Sequence, residues 1–427
     1  MKIIDATRLN NKLFDEIISR NGLHYETAKH SAGKIVAEVK AEGLNAVIRY
    51  AEKFDNYKRD DIRLRDEEIE GGIKKLDQRS KDAIDNAFEN ILAFHKMQKP
   101  LDFSIETQPG VFCERRFIPI ENVGLYIPGG SAVLPSTVLM LGIPAMIAGC
   151  KRVVLVTPAS EKIEPAVLYS ATLCGISEIY AVGGAQAIAL LAYGVEGVER
   201  VDKIFGPGNQ FVTAAKMAVS TDGSGCMIDM PAGPSELLII ADETADARFV
   251  TSDLLSQAEH GADSQTILLS TSKQLLEGVQ REIILQTATL HRKNEINGSL
   301  QNSRLVVVAN IDDAFRISNK YAPEHLIINT KEAHSLKSKV INAGSVFIGQ
   351  WSPESVGDYA SGTNHSLPTS GYARATGGVA VESFMKGITF QELSREGLKG
   401  ISETVITLAE IEKLEAHASA VKTRIRQ

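Results

Sequence analysis

At 427 residues the chain exceeds what one hydrophobic core usually organises, so two or more domains are expected. A formal net charge of −7, with no block of Lys or Arg, argues against a nucleic-acid or anionic-membrane surface. The N-terminal MKIIDATRLNNKLFDEII lacks the apolar core of a signal peptide, and no apolar run reaches the roughly 20 residues that span a bilayer, so a cytoplasmic enzyme or binding protein is expected.

In chain order, residues from about Ser31 to Lys99 read as amphipathic helices, with apolar positions three and four apart in IVAEVKAEGLNAVIRYAEKF and DAIDNAFENILAFHKM. From Val123 the texture changes to short β-branched runs, RVVLVTP, EIYAVGG and KIFGPG, each followed by a helical run. The same alternation returns in ELLIIAD, QTILLSTS, RLVVVAN, HLIINT and GSVFIG. Strand and helix alternating in this way predict βαβ units around buried parallel sheets, hence two α/β modules in series. After Gly349, WSPESVGDYASGTNHSLPTSGYARATGG has little periodicity and reads as a long functional loop. The chain closes on a helix over SETVITLAEIEKLEAHASAVKTRI, capped by Ser402, with an apolar stripe through Leu414 and Val421 that takes in His417.

Ligands of open α/β sheets bind at strand ends, so the glycine-rich exits VGLYIPGG, AVGGAQA and IFGPGNQF draw attention. None completes the dinucleotide fingerprint: in GPGNQF, Phe211 stands where the third glycine belongs. Three such exits on successive units favour a nucleotide or phosphate. The segment ADARFVTSDLLSQAEH poses a different question. On a helix, Val250, Leu254 and Gln257 share one face and His260 lies one turn on, so a polar pair sits in a stripe that is otherwise apolar. Burying the Gln257 amide without partners would cost roughly 1–3 kcal/mol. A side-chain hydrogen bond answers that, and so does a metal, since a Gln oxygen and a neutral imidazole nitrogen are both ligands. Further donors are Glu324 and His325, Asp358, His365 and His417, and spacing alone does not bring them together.

YIPGG at Tyr126, VGGAQA at Val182, FGPGNQ at Phe205, MPAGPSE at Met230, SQAEHG at Ser256, YAPEHL at Tyr321 and SVGDYASGTNHSLPT at Ser355 occur in that order. Together they resemble the histidinol dehydrogenase family over essentially the whole chain. The resemblance implies two incomplete Rossmann-like, parallel-sheet domains in series, with smaller helical N- and C-terminal segments. The implied borders are a helical segment over 1–22, a first α/β domain from 23–106 plus 236–380, a second over 107–235, and a C-terminal helical segment over 381–427. It further implies oxidation of L-histidinol through L-histidinal to L-histidine, the last steps of histidine biosynthesis, with one Zn2+ per subunit and two NAD per histidinol. The family's zinc ligands fall on Gln257, His260, Asp358 and His417, and its acid–base pair on Glu324 and His325. Substrate contacts fall on Ser235, His365 and Glu412 as well as on Gln257, His260, His325, Asp358 and His417. Cofactor contacts fall on Tyr126, Gln186 and Asn209. The resemblance also implies a homodimer in which His417 completes the partner subunit's site.

The residue types suit these roles. Alcohol oxidation needs a base within hydrogen-bond reach of the hydroxyl while hydride leaves the same carbon, and His325 titrates in the right range. Glu324 is the better candidate to activate the water that hydrates the aldehyde. Neighbouring side chains cooperate only if the backbone there is not a regular strand, and Pro323 predicts an irregular entry. An all-N/O donor set also accepts manganese or cobalt. Three rival readings are a cysteine nucleophile drawn from Cys113, Cys150, Cys174 or Cys226, a metallohydrolase using the same donors, and a non-catalytic nucleotide-binding protein.

Overall fold

The computed structural model describes residues 1–20, 25–55, 61–129, 134–158, 163–231 and 233–426. Gly130 and Ala232 of the motifs above, and the expected border at 22/23, lie outside the described residues. Strands and helices alternate around two parallel sheets, as the sequence predicts. The larger runs Ile3–Ala6, Arg304–Val308, Gln265–Ser270, Glu236–Ala241, His325–Asn329 and Ser345–Ile348, all neighbours parallel. Its central strands are buried along their whole length, because helices cover both faces. Leu238 and Ile240 enter one apolar cluster while Leu237, Ile239 and Ala241 enter the other, the period-two consequence of the pleat.

The second sheet runs Glu178–Ala181, Arg152–Thr157, Asn122–Tyr126, Lys203–Phe205 and Met227–Ile228, again parallel throughout. Successive units move outward in opposite directions from Asn122–Tyr126, which places a topological switch between that strand and Lys203–Phe205. The turn after Phe205 fits only glycine: Gly206 has φ +123°, and a Cβ there would stand 2.1 Å from the Tyr126 carbonyl oxygen.

Several expectations about the peripheral segments change. The N-terminal segment is not purely helical, since Ile3–Ala6 pairs with Arg304–Val308 before helix Asn11–Ile18 begins. The implied borders put helices Tyr25–Glu42, Leu44–Asp55 and Gln78–Lys96 with the larger sheet. Val36, Val39, Val47 and Ile91 instead share a core with Leu125, Val154, Leu190 and Val212 around the smaller one. Amphipathic helices advertise an apolar face without naming the surface that will cover it. The opening of the 107–235 domain and the start of the C-terminal segment are strands: Met385–Leu393, Val111–Pro119 and Phe103–Gln108 form an antiparallel sheet in that order. The terminal helix is two helices, Arg395–Ile411 capped by Ser394, and Glu415–Ile425, broken where Lys413 has φ +60°. Ser402 lies inside the first, its hydroxyl donating to Lys399 O (2.8 Å). This arm leaves Phe103, Ile105, Phe390, Leu408 and Ile411 exposed. Among the described residues no helix is long and apolar enough to cross a membrane.

Candidate active site

A cavity of about 310 Å³ opens where the carboxyl edge of the smaller sheet meets the amino edge of the larger one. Pro128, Pro207, Gly208 and Asn209 come from the exits flanking the topological switch, whereas Ser235, Ser264, Glu324 and His325 come from strand entrances. Attention to exits alone therefore finds half of it. His260, Asp358 and His365 complete the wall.

The expected acid–base pair, Glu324 and His325, stands on a helix-to-strand turn. Helix Ile311–Tyr321 ends on Ala322 in the left-handed region (φ +55°), Pro323 follows, and the strand starts at His325. Glu324 is thus outside the regular strand, as Pro323 predicts, and its carboxylate reaches within 3.7 Å of His325 Nδ1. Glu324 Oε2 accepts from Glu236 N (2.9 Å). Arg20 in turn grips the Glu236 carboxylate with two bonds of 2.6 and 2.9 Å, and Ser370 N donates to it (2.9 Å). A bidentate guanidinium–carboxylate pair of this kind fixes the entrance of strand Glu236–Ala241, whose first N–H holds Glu324.

His325 faces three carboxylates: Nδ1 lies 3.7 Å from Glu324 and 3.8 Å from Glu354, and Nε2 lies 3.6 Å from Asp358. Burial works to lower its pKa, but Glu354, Glu324 and Asp358 outweigh it and raise His325 to about 10. Burial raises Glu324 to about 7. Asp358 is driven up by burial but more strongly down by His325, His365 and His260, and ends below the ordinary carboxylate range. His260 and His365 are both lowered by the protein around them, which favours the neutral imidazole that a metal requires. His365 is oriented by Asp358 O on Nδ1 (2.8 Å) and Thr137 Oγ1 on Nε2 (3.2 Å).

Donor atoms of His260, Glu354 and Asp358 lie within 4.8 Å of one another. Gln257 is fully buried near the end of helix Ala247–Ala258, and His260 follows in the closing turn, exposed at the rim. With its amide nitrogen toward Glu354, Gln257 donates to Oε1 at 2.5 Å and Oε2 at 3.3 Å. In that assigned orientation the side-chain bond and the metal reading of SQAEHG are compatible, because the amide nitrogen takes the bond and leaves the oxygen free. Glu354 is the participant that sequence reasoning missed. Its signal is the four-residue spacing to Asp358: Glu354–Tyr359 is a short helix inside the stretch read as aperiodic loop.

The structure brings Ser235, His260, Asn209, Glu324, His325, Asp358 and His365 to one cavity, with Gln257 behind them. Asn209 also caps helix Gln210–Thr221, accepting from Phe211 N and Val212 N. Tyr126 and Gln186 are buried beside the cavity rather than lining it. The Tyr126 hydroxyl accepts from Gly184 N (3.2 Å), and both Gln186 amide atoms lack a partner among the described residues. His417 and Glu412 lie elsewhere, exposed on the C-terminal arm, so in one chain His417 does not occupy the apolar stripe expected of it. Among the described residues no cysteine lines the cavity. Burial pushes Cys150, Cys174 and Cys226 up to about 12, and Cys113 sits in the antiparallel sheet, which removes the thiolate reading.

The sequence model of the histidinol dehydrogenase family matches residues 18–425. Histidinol dehydrogenase of Idiomarina loihiensis is 51% identical over 401 residues, 93% of this chain and 91% of that one. That of Aliivibrio fischeri is 49% identical over 100% of this chain and 97% of its own. The crystal structure of histidinol dehydrogenase from Elizabethkingia anophelis superposes with a TM-score of 0.94 at 46% identity, covering 100% of this chain and 98% of that one. With the fold and the cluster of titratable groups at the cavity described, these matches show that the chain belongs to the histidinol dehydrogenase family, NAD-dependent oxidoreductases that oxidise histidinol in histidine biosynthesis.

Proposed function

We propose that the chain converts L-histidinol to L-histidine through L-histidinal, consuming two NAD, in the cytoplasm, as a homodimer that binds one zinc ion per subunit. The observation that carries this is the meeting of Glu324 and His325 with His260, Asp358 and the buried Gln257 at one cavity between two sheet edges. The donor set fits a divalent cation: imidazole and carboxylate converge within 4.8 Å, and the Gln257 amide, assigned with its nitrogen toward Glu354, leaves its oxygen free. In this reading Gln257, His260 and Asp358 are three ligands and His417 of a second copy is the fourth. Zinc, when bound, supplies a template for the amino and imidazole nitrogens of the substrate and offsets the carboxylate charge around His325.

His325 takes the hydroxyl proton as hydride passes from the carbinol carbon to NAD, giving the aldehyde. Three carboxylates hold this imidazole protonated in the chain alone, so it serves as a base only when their charge is offset. Water then adds to the aldehyde. Glu324, raised to about 7, is suited to take a proton from that water near neutrality. Once His325 has released its first proton to solvent and a second NAD has replaced the NADH, the hydrate loses a second hydride to NAD and its hydroxyl proton to His325. Ser235 and His365, with Glu412 of the second copy, bind the substrate. Tyr126, Gln186 and Asn209 lie at the exits of the smaller sheet and hold the cofactor.

Purified protein given L-histidinol and NAD tests the reading, with NADH and metal content followed together. Two NADH per histidinol, abolished by chelation and restored by zinc, are expected. Manganese or cobalt should also restore turnover to some extent. Failure to form NADH with metal present refutes it, and metal-dependent hydrolysis without NAD would point to a hydrolase.

A further inference from the structure

We propose that Glu354 is a positioning residue that fixes the rotamer of the Gln257 amide, so that its oxygen rather than its nitrogen is presented to the cation; this rests on the zinc reading above. A glutamine can ligate through Oε1 alone, because the amide nitrogen lone pair is delocalised, and an unconstrained amide turns either end inward. Glu354 removes that freedom. It is 1% exposed, and its two oxygens lie 2.5 and 3.3 Å from one end of the Gln257 amide, the end assigned as nitrogen because an oxygen there would face only acceptors. When a nearby cation keeps it ionised, this carboxylate accepts and does not donate, so the Gln257 nitrogen is held toward it and the oxygen away.

Glu354 also shares the neighbourhood of His260 and Asp358, within 4.8 Å, and could be taken for a ligand itself. One observation argues otherwise. The Glu354 carboxylate is already engaged by Gln257 and lies 3.8 Å from His325 Nδ1 on its other side. This is the arrangement by which residues behind a metal orient its ligands, and loss of such a partner typically costs 10- to 100-fold in metal affinity.

Two replacements of nearly equal length separate the roles. Glu354→Gln keeps an oxygen acceptor for the Gln257 amide, whereas Glu354→Met fills the same volume and accepts nothing. Zinc affinity is measured by competition with a chromogenic chelator, alongside thermal melting of the metal-free proteins to verify folding. Because its amide can also donate, Glu354→Gln fixes the orientation less firmly and is expected to bind zinc more weakly than wild type but more tightly than Glu354→Met, which should lose about 10- to 100-fold. In a Gln257→Ala background, Glu354→Met should add no further loss, since it acts through the missing amide. Wild-type affinity in Glu354→Met overturns the proposal. So do losses that multiply in the double variant, which would make Glu354 a ligand in its own right. A wild-type protein that binds no zinc overturns the zinc reading and this role with it.

Discussion

Sharing of the site between two copies is tested by a heterodimer of His417→Asn and His325→Asn chains. In one chain His417 is exposed in the first turn of helix Glu415–Ile425, and the nearby Leu408, Ile411 and Leu414 are exposed too. Covering such side chains contributes about 1.5–3 kcal/mol each, which would favour docking of the arm on a second copy. Because His417 is exposed in its own chain, His417→Asn should change that chain's stability by no more than about 0.5 kcal/mol. If His417 acts in trans, the heterodimer has one site carrying both substitutions and one carrying neither. Each homodimer is inactive, and the heterodimer, isolated through two different affinity tags, should recover about half of wild-type turnover per dimer. If His417 acted within its own chain, both sites would carry one defect. A pure heterodimer as inactive as its parents refutes the shared site.

Three further outcomes follow from the geometry. Glu324→Gln should slow oxidation of supplied L-histidinal by about 10²–10⁴-fold, and first-hydride formation from L-histidinol much less, measured by single-turnover NADH formation; equal slowing would deny Glu324 its role with water. Burial raises Asp253 to about 7, so between the ordinary carboxylate range and about pH 7 the unfolded chain loses a proton that the folded one keeps. The native state loses stability as pH rises through that window, by on the order of a few kcal/mol, and Asp253→Asn should raise the melting temperature more at pH 8 than at pH 4. Gly206→Ala drives a Cβ to 2.1 Å from the Tyr126 carbonyl oxygen and strains a φ of +123°, so it should lower stability to urea by more than about 1 kcal/mol and raise the KM for NAD; an unchanged urea midpoint would show that this turn relaxes freely.

The alternation of β-branched runs and helices was legible because burial on both faces leaves a continuous apolar signature within each segment. The Gln257 and His260 pair was legible for the complementary reason, as polar residues where an apolar stripe was due. Chemical identity came from the ordered motifs, whose residue types the cavity now explains. Glu354 escaped notice because a six-residue helix, Glu354–Tyr359, is too short to show a period, and a lone Glu in a polar stretch looks solvated until the fold buries it.

Which surfaces meet was decided by tertiary structure alone. Local pattern shows that Val36, Val47 and Ile91 need covering, and nothing local shows that the smaller sheet covers them. Nor does it show that the entrances of one sheet oppose the exits of the other, which places Glu324 opposite Asn209 across one cavity. The hairpin of Phe103–Gln108 and Val111–Pro119 finds its third strand far along the chain, at Met385–Leu393. Periodicity reports how much of a segment must leave water, and only the folded chain determines what takes the water's place.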